Sequence, residues 1–273
     1  MSLAIKAFIR RANPDARHKL RRWIFPLARA IETVVWGGEF KERILVKLLS
    51  AYYASQFRRE WIYRAPPPHF FDQRLTYFAF GYGKQVSGPY GLSRGFFVAD
   101  LLRDGDCLLD IGCGDGFFTK RFFAARCAHI DAIDSDPEAM RAATMRNSAP
   151  NITYALLDAA VQPFPCARYD VIVWDGAIGH FVADDCQRVL EKIVKALAPE
   201  GVFVGSESLG REGSDHLQFF ASLDDLFALF KPYFKYVELR KQTYSGGSLV
   251  RQEAYWRCAN DPTRLRECDW KTL

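Results

Sequence analysis

No stretch of this chain approaches the roughly 20 uninterrupted apolar residues of a membrane-spanning helix, although 49% of its 273 residues are hydrophobic. A spanning segment is therefore not expected. Cysteine occurs seven times but never as a C-x-x-C pair, and several of the seven lie in apolar runs. This leaves no zinc signature and no disulfide framework, and it points to reduced thiols in the cytoplasm. No metal is expected. Acids and turn residues such as Asn13-Pro14-Asp15 interrupt the N-terminus, and no small-residue cleavage site follows an apolar core, so a targeting peptide is not expected. Internal repeats and low-complexity tracts are also missing.

Charge is unevenly placed. Through Arg64 the chain carries fourteen Lys and Arg against five Asp and Glu, so a net charge of +5 overall conceals a net acidic remainder. Within residues 1–65, segments such as 40–63 place Ile44, Leu45, Leu48, Leu49, Tyr52 and Tyr53 at helical spacing against Lys41, Arg43, Lys47, Arg58 and Arg59. They predict a basic helical extension. Its helices either pack on the rest of the chain or on a twin subunit as a homodimer, or make a peripheral contact with an anionic membrane, to which Trp23, Phe25 and Trp36 beside Arg21, Arg22 and Arg29 are suited. Pro66-Pro67-Pro68 then opens a stiff linker. An aromatic, glycine-rich stretch over residues 66–95 follows, with Tyr82, Lys84 and Tyr90 as candidate contacts of a closing lid.

The most informative stretch starts at Cys107. Cys107 to Ile111 reads as a short buried strand, and Gly112, Gly114 and Gly116 follow it in a G-x-G-x-G turn that leads into a helix. A strand-turn-helix unit of this kind marks the ligand crevice at the carboxyl ends of a parallel sheet. A pyrophosphate-binding turn would read G-x-G-x-x-G. Here Asp110 stands two residues before the first glycine, a poor neighbour for pyrophosphate and a good one for an ammonium group.

The string Leu109-Asp110-Ile111-Gly112-Cys113-Gly114-Asp115-Gly116 resembles the first motif of the class I S-adenosylmethionine-dependent methyltransferases. The resemblance implies an α/β, Rossmann-like fold: a seven-stranded, mostly parallel sheet with helices on both faces, over residues 96–273. It implies S-adenosyl-L-methionine as cofactor. Asp134, ending a second strand, would take the ribose hydroxyls, with Ser135 beside it. Asp158, after a third strand over 152–157, would accept from the adenine amino group while the Ala159 amide donates to the ring. Cys113 and Trp174, the latter ending a fourth strand over 169–174, would complete the cofactor set. Asp136 reads as a helix cap, with Pro137 in the first turn, and Asp115 as a solvated turn acid. Further elements are expected as a helix over 184–198 and strands over 201–207, 233–241 and 252–258.

The sulfonium makes the methyl group a strong electrophile, so the protein has to align a nucleophile and manage one proton. His180 is the candidate general base, with Glu207 and His216 as further pocket residues. Trp174-Asp175-Gly176-Ala177 stands where amino-directed DNA methyltransferases carry [DNS]-P-P-[YFW], and no Pro-Cys nucleophile occupies that position. Nucleic acid is therefore not the expected partner. By elimination the acceptor is a small molecule, a sugar or a lipid-linked group, methylated at oxygen. Two alternatives remain open at this point: a non-catalytic relative acting through its basic helices, and an NAD-dependent oxidoreductase, against which the glycine spacing argues.

Overall fold

The computed structural model describes residues 87–211, 216–246 and 249–267, together with isolated helical positions between Pro26 and Ser55. The chain divides into two compact units, Met1–Tyr52 and Tyr53–Leu273. In the first, Ile44, Leu45, Leu48, Leu49 and Tyr52 are all helical, as their spacing predicts, and all are exposed.

The second unit is built on one sheet. Its elements are α1 (Ser87–Ala99), β1 (Asp106–Ile111), a π-helical turn (Thr119–Phe123), β2 (Cys127–Asp134), α2 (Pro137–Arg146), β3 (Ile152–Leu156), β4 (Tyr169–Trp174), a 3-10 turn (Ile178–His180), α3 (Ala183–Ala196), β5 (Leu197–Ser208), α4 (Leu223–Phe230), β6 (Tyr236–Gly246), β7 (Leu249–Ala259) and α5 (Thr263–Glu267). The strand order is β3-β2-β1-β4-β5-β7-β6. Strands β1 to β5 pair in parallel, while β7 runs antiparallel to β5 and β6. This is the Rossmann-like class I methyltransferase sheet that the sequence predicts.

A parallel strand covered on both faces reads as a continuous apolar run. In β1, Leu109 and Ile111 join Ile133, Ile172 and Trp174 on one face, and Leu108 joins Ile130, Val171 and Val173 on the other. Helix α3 closes the first face with Cys186, Val189, Leu190 and Ile193, spaced i, i+3, i+4, i+7 and fully buried. Helix α1 supplies Phe97 and Val98 to the second.

The segment read as part of a glycine-rich lid differs in its second half. Residues 87–99 form one continuous helix across the 95/96 boundary. Gly95 is tolerated because α1 packs closely there: a Cβ would lie 2.6 Å from the Phe122 ring. Residues 66–86, including Tyr82 and Lys84, lie outside the described residues, and only the helical backbone of Tyr90 is described. The helix expected after the glycines opens at Phe117 and Phe118 and continues as a π-helical turn, in which the Thr119 hydroxyl donates to Asp110.

Gly205, inside β5, tests this packing. Its Cβ would lie 2.5 Å from Trp256 Cζ2 and 2.8 Å from the Trp174 carbonyl carbon, and that backbone cannot yield. Gly205→Ala is expected to lower unfolding stability by about 1–3 kcal/mol. A urea midpoint unchanged from the parent would contradict the register of β4, β5 and β7.

Candidate active site at the carboxyl ends of β1, β2 and β4

The sheet order reverses between β1 and β4, so their following loops diverge and leave a crevice at the carboxyl edge. Gly112, Gly114 and Gly116 all adopt positive φ, at 69°, 56° and 71°. Two of them are also glycine for want of space. A Cβ on Gly112 would meet the Ala177 Cβ at 2.7 Å, and one on Gly116 would press on the Tyr154 phenol, with Cζ at 2.7 Å. The amides of Gly112 and Cys113 donate to the Ile133 carbonyl at 2.8 and 3.1 Å, tying the turn to the end of β2.

Asp134 completes that tie. One carboxylate oxygen accepts from the Gly114 amide and the other from the Asp136 amide, both at 2.9 Å. A carboxylate offers about four lone-pair sites, so capacity for a ligand's hydroxyls remains. Ser135 beside it is exposed. Asp136 caps α2 by accepting from the Glu138 amide, as its position predicts. Asp115 departs from expectation: it is buried, accepts from the Phe117 amide, and its own carbonyl accepts from Asn147.

Asp110 is 4% exposed and accepts from the Thr119 hydroxyl at 2.6 Å. Burial raises its pKa to about 7, opposed by the Thr119 hydrogen bond and reinforced by Asp175 and Asp134. Burial likewise pushes the Cys113 thiol well up. A cation brought to Asp110 would be met by a carboxyl group that is costly to ionise alone.

The other predicted residues take varied places. Asp158 is exposed and accepts from the Ala160 amide, so it shapes its own turn, as many post-strand aspartates do. Ala159 is buried and its carbonyl accepts from Lys192. The Trp174 side chain does not line the crevice. It lies in the core, edge-on to Phe181 at 4.9 Å, because alternation along β4 turns it toward α3. Only its backbone reaches the carboxyl edge.

A polar network absent from the sequence reading fills the neighbouring space. Arg94 of α1 donates through Nε to both oxygens of Asp175 at 3.0 and 2.9 Å. Ser206 donates to Asp175 at 2.6 Å and also contacts Glu253 at 2.9 Å. Gly176, with φ 64°, is required by the same approach: a Cβ there would lie 2.9 Å from Arg94 Cζ. Burial raises Glu253 to about 7, against the pull of Arg94 and Arg251. Nothing local in the sequence marks Arg94, since its partner lies 81 positions away.

His180 and His216 come together, with ring centroids 4.5 Å apart and planes at 82°. The turn bearing His180 begins at Ala177, the residue that touches Gly112, so the histidine pair adjoins the glycine turn. Glu207 serves this arrangement differently from the catalytic part expected of it. It is buried and accepts from the Gly179 amide at 3.0 Å and from the Ser208 amide and hydroxyl, so it anchors the turn.

The raised Asp110 pKa has a thermodynamic consequence. The folded ligand-free protein keeps this proton to about pH 7, whereas an unfolded aspartate releases it near 3.9, so stability from this group is lost as pH rises between those values. Asp110→Asn is expected to gain stability relative to the parent as pH is raised from about 5 to about 7.5. Parallel melting-temperature profiles across that range would contradict the assignment.

Residues 108–201 match the methyltransferase domain family. The mitochondrial arginine-hydroxylase NDUFAF5 of Rattus norvegicus is 31% identical over 149 residues, covering 55% of this chain and 39% of the relative. An uncharacterized methyltransferase of Mycobacterium bovis is 30% identical over 95 residues, covering 35% of this chain and 47% of the relative. The chain thus spans less than half the length of these curated relatives. The N-methyltransferase NodS of Bradyrhizobium japonicum, solved with S-adenosyl-L-homocysteine, superposes with a TM-score of 0.51 at 20% identity, over 76% of this chain and 98% of that one. At that identity the superposition speaks for the fold. The match of residues 108–201 to the methyltransferase domain family agrees with the glycine turn, the acids at the ends of β1 and β2 and the strand order.

Proposed function

We propose that the protein transfers a methyl group from S-adenosylmethionine to the oxygen of a small-molecule, sugar or lipid-linked acceptor. One observation carries this reading: the glycine turn, Asp110, Asp134 and the His180 turn share one crevice, linked by the Gly112–Ala177 contact. The residues fit the cofactor. Asp110 offers a carboxylate to an ammonium group, Asp134 keeps lone pairs for a vicinal diol, and the loop at Asp158 and Ala159 lies at the end of β3, beside β2, where an adenine would be met. Bound there, the cofactor supplies a sulfonium-activated methyl group.

The chain's own residues supply the rest. Arg94 balances the acids at the crevice through its ion pair with Asp175. Glu207 fixes the Gly179 amide and with it the 3-10 turn, so His180 is presented from a rigid base rather than a loose loop. The amides of Leu217 and Gln218 donate to the Gly179 carbonyl at 2.8 and 3.1 Å and hold the segment carrying His216 against the same turn. His180 accepts the acceptor hydroxyl's proton as the methyl group moves, and His216 orients its ring. The residues after β4 lack the tetrapeptide of base-directed amino methylation, which speaks against a nucleobase acceptor.

A second reading, a methyltransferase fold that serves another reaction or none, draws support from the similarity to a protein named an arginine-hydroxylase. Calorimetry with S-adenosylmethionine, S-adenosylhomocysteine and NAD, followed by a screen for S-adenosylhomocysteine release with hydroxylated acceptors, separates the two. Asp134→Ala is expected to weaken S-adenosylmethionine binding by about 1.5–3 kcal/mol. His180→Ala is expected to leave that affinity unchanged while lowering turnover by about 100-fold or more. Equal loss of both would make His180 a packing residue.

The N-terminal unit fits an anionic membrane surface. Ile44, Leu45, Leu48, Leu49 and Tyr52 expose one apolar helical stripe within a segment rich in lysine and arginine. No helix among the described residues is long and apolar enough to cross a membrane. Leu45→Glu with Leu48→Glu is expected to abolish cosedimentation with phosphatidylglycerol vesicles, and neutral phosphatidylcholine vesicles are expected to retain little of the parent. Equal binding to both lipids would contradict an electrostatic contribution.

A further inference from the structure

Midway along the interior strand β2 stands a buried acid that has no part in the glycine turn. Asp131, in β2, is 3% exposed, and a carboxylate at such a place needs compensation. His129 lies two residues earlier on the same strand face, and its Nε2 is 2.9 Å from Asp131 Oδ1. The Tyr169 hydroxyl, at the start of β4, donates to Asp131 Oδ2 at 2.7 Å and accepts from the Cys166 amide at 2.8 Å. One phenol therefore orients the acid and pins the turn that carries Cys166. The imidazole nitrogen, carboxylate oxygen and Cys166 sulfur all lie within 4.8 Å of one another.

We propose that His129, Asp131 and Cys166 bind a divalent zinc-type cation. Imidazole, carboxylate and thiolate are the ligand types that such an ion accepts, and tetrahedral coordination places them about 3.5 Å apart, a small contraction from the observed spread. The charges balance. Aspartate and thiolate neutralise the dication, the imidazole binds as the neutral base, and the thiol proton leaves to solvent as the sulfur–metal bond forms. Cys166 is exposed and the His129 side chain is 39% exposed, so the ion has a path in and a water can take the fourth position.

Tyr169 then acts on the metal through Asp131, as an outer-shell donor that fixes a ligating carboxylate. Soft thiolate with imidazole favours zinc over magnesium or calcium. His129 belongs to the first half of β2, and the glycine turn meets the end of that strand, so the ion would clamp β2 to the turn before β4 without entering the crevice. The inference does not depend on methyl transfer. It also runs against the sequence expectation of no metal, because His-x-Asp with a distant cysteine forms no recognisable spacing and only the fold assembles it.

Cobalt(II) is the probe. Titrated into the reduced full chain, it is expected to saturate at one ion per chain with a near-ultraviolet thiolate-to-cobalt charge-transfer band that zinc then abolishes. Cys166→Ser is expected to remove the band, and His129→Ala to weaken binding at least about tenfold. Both positions are exposed or half-exposed, and circular dichroism checks that each variant folds. Cys107→Ser, on neighbouring β1, is expected to leave the band unchanged. No saturable band in the parent, or a band that survives Cys166→Ser, would overturn the proposal.

Discussion

The carboxyl edge of the sheet depends on how the chain leaves β1. Three successive alternate residues adopt the left-handed conformation, and at Gly112 and Gly116 the neighbouring Ala177 and Tyr154 occupy the volume a side chain would need. The turn is thereby compressed between β2 and β4. Its amides are directed at Ile133 and Asp134, so the same geometry that opens the crevice fixes the acid at the end of β2. A larger residue at Gly112 would push the β4 loop outward and move the His180 turn with it. The glycine turn and the His180 turn are in this sense one mechanical unit.

The crevice is also electrostatically unbalanced in a consistent direction. Asp110, Asp134 and Glu253 are all raised by burial, and the guanidinium of Arg94, itself paired with Asp175, offsets them only in part. An acid cluster of this kind is stabilised by a bound cation and by protonation, which compete. The protein therefore gains from a positively charged ligand what it forgoes when empty. This favours a sulfonium compound with an ammonium group over a dinucleotide, whose pyrophosphate would add like charge.

Much of the fold was legible because the signals are local. An apolar run bounded by glycines has to be a buried strand, and Asp136-Pro137 fits little but a helix start. Strands β1, β3 and β4 fall within one residue of the expected bounds, and β2 ends at Asp134 as expected. The errors share a cause. Glycines over residues 87–95 were read as loop chemistry, but Gly95 serves a close approach of α1 to Phe122 that no sequence window contains. Trp174 was placed in the cofactor set by its position in the chain, and strand alternation turned its ring into the core. Arg94, Ser206 and Glu253 were invisible for the same reason: each is defined by a partner far away in sequence. Asp131 has no local mark either, because only the fold brings Tyr169 and Cys166 to it.

The residues most open to specialisation are those on the short turns. The central strands β1 and β4 are buried on both faces and tolerate little change, whereas the 178–181 turn and the 216–220 segment meet through a few hydrogen bonds at Gly179 and Ile178 and the contact of two histidine rings. Glu207 is what makes this economical. Its carboxylate accepts from the Gly179 amide and from the Ser208 amide and hydroxyl, which lets two histidines stand edge to face without help from a larger loop. Substitutions at exposed positions such as Leu217 and Phe219 would alter this side of the crevice while the glycine turn stays fixed. The glycine turn is a local motif and these turns are not, so the cofactor class was the more legible of the two in the sequence.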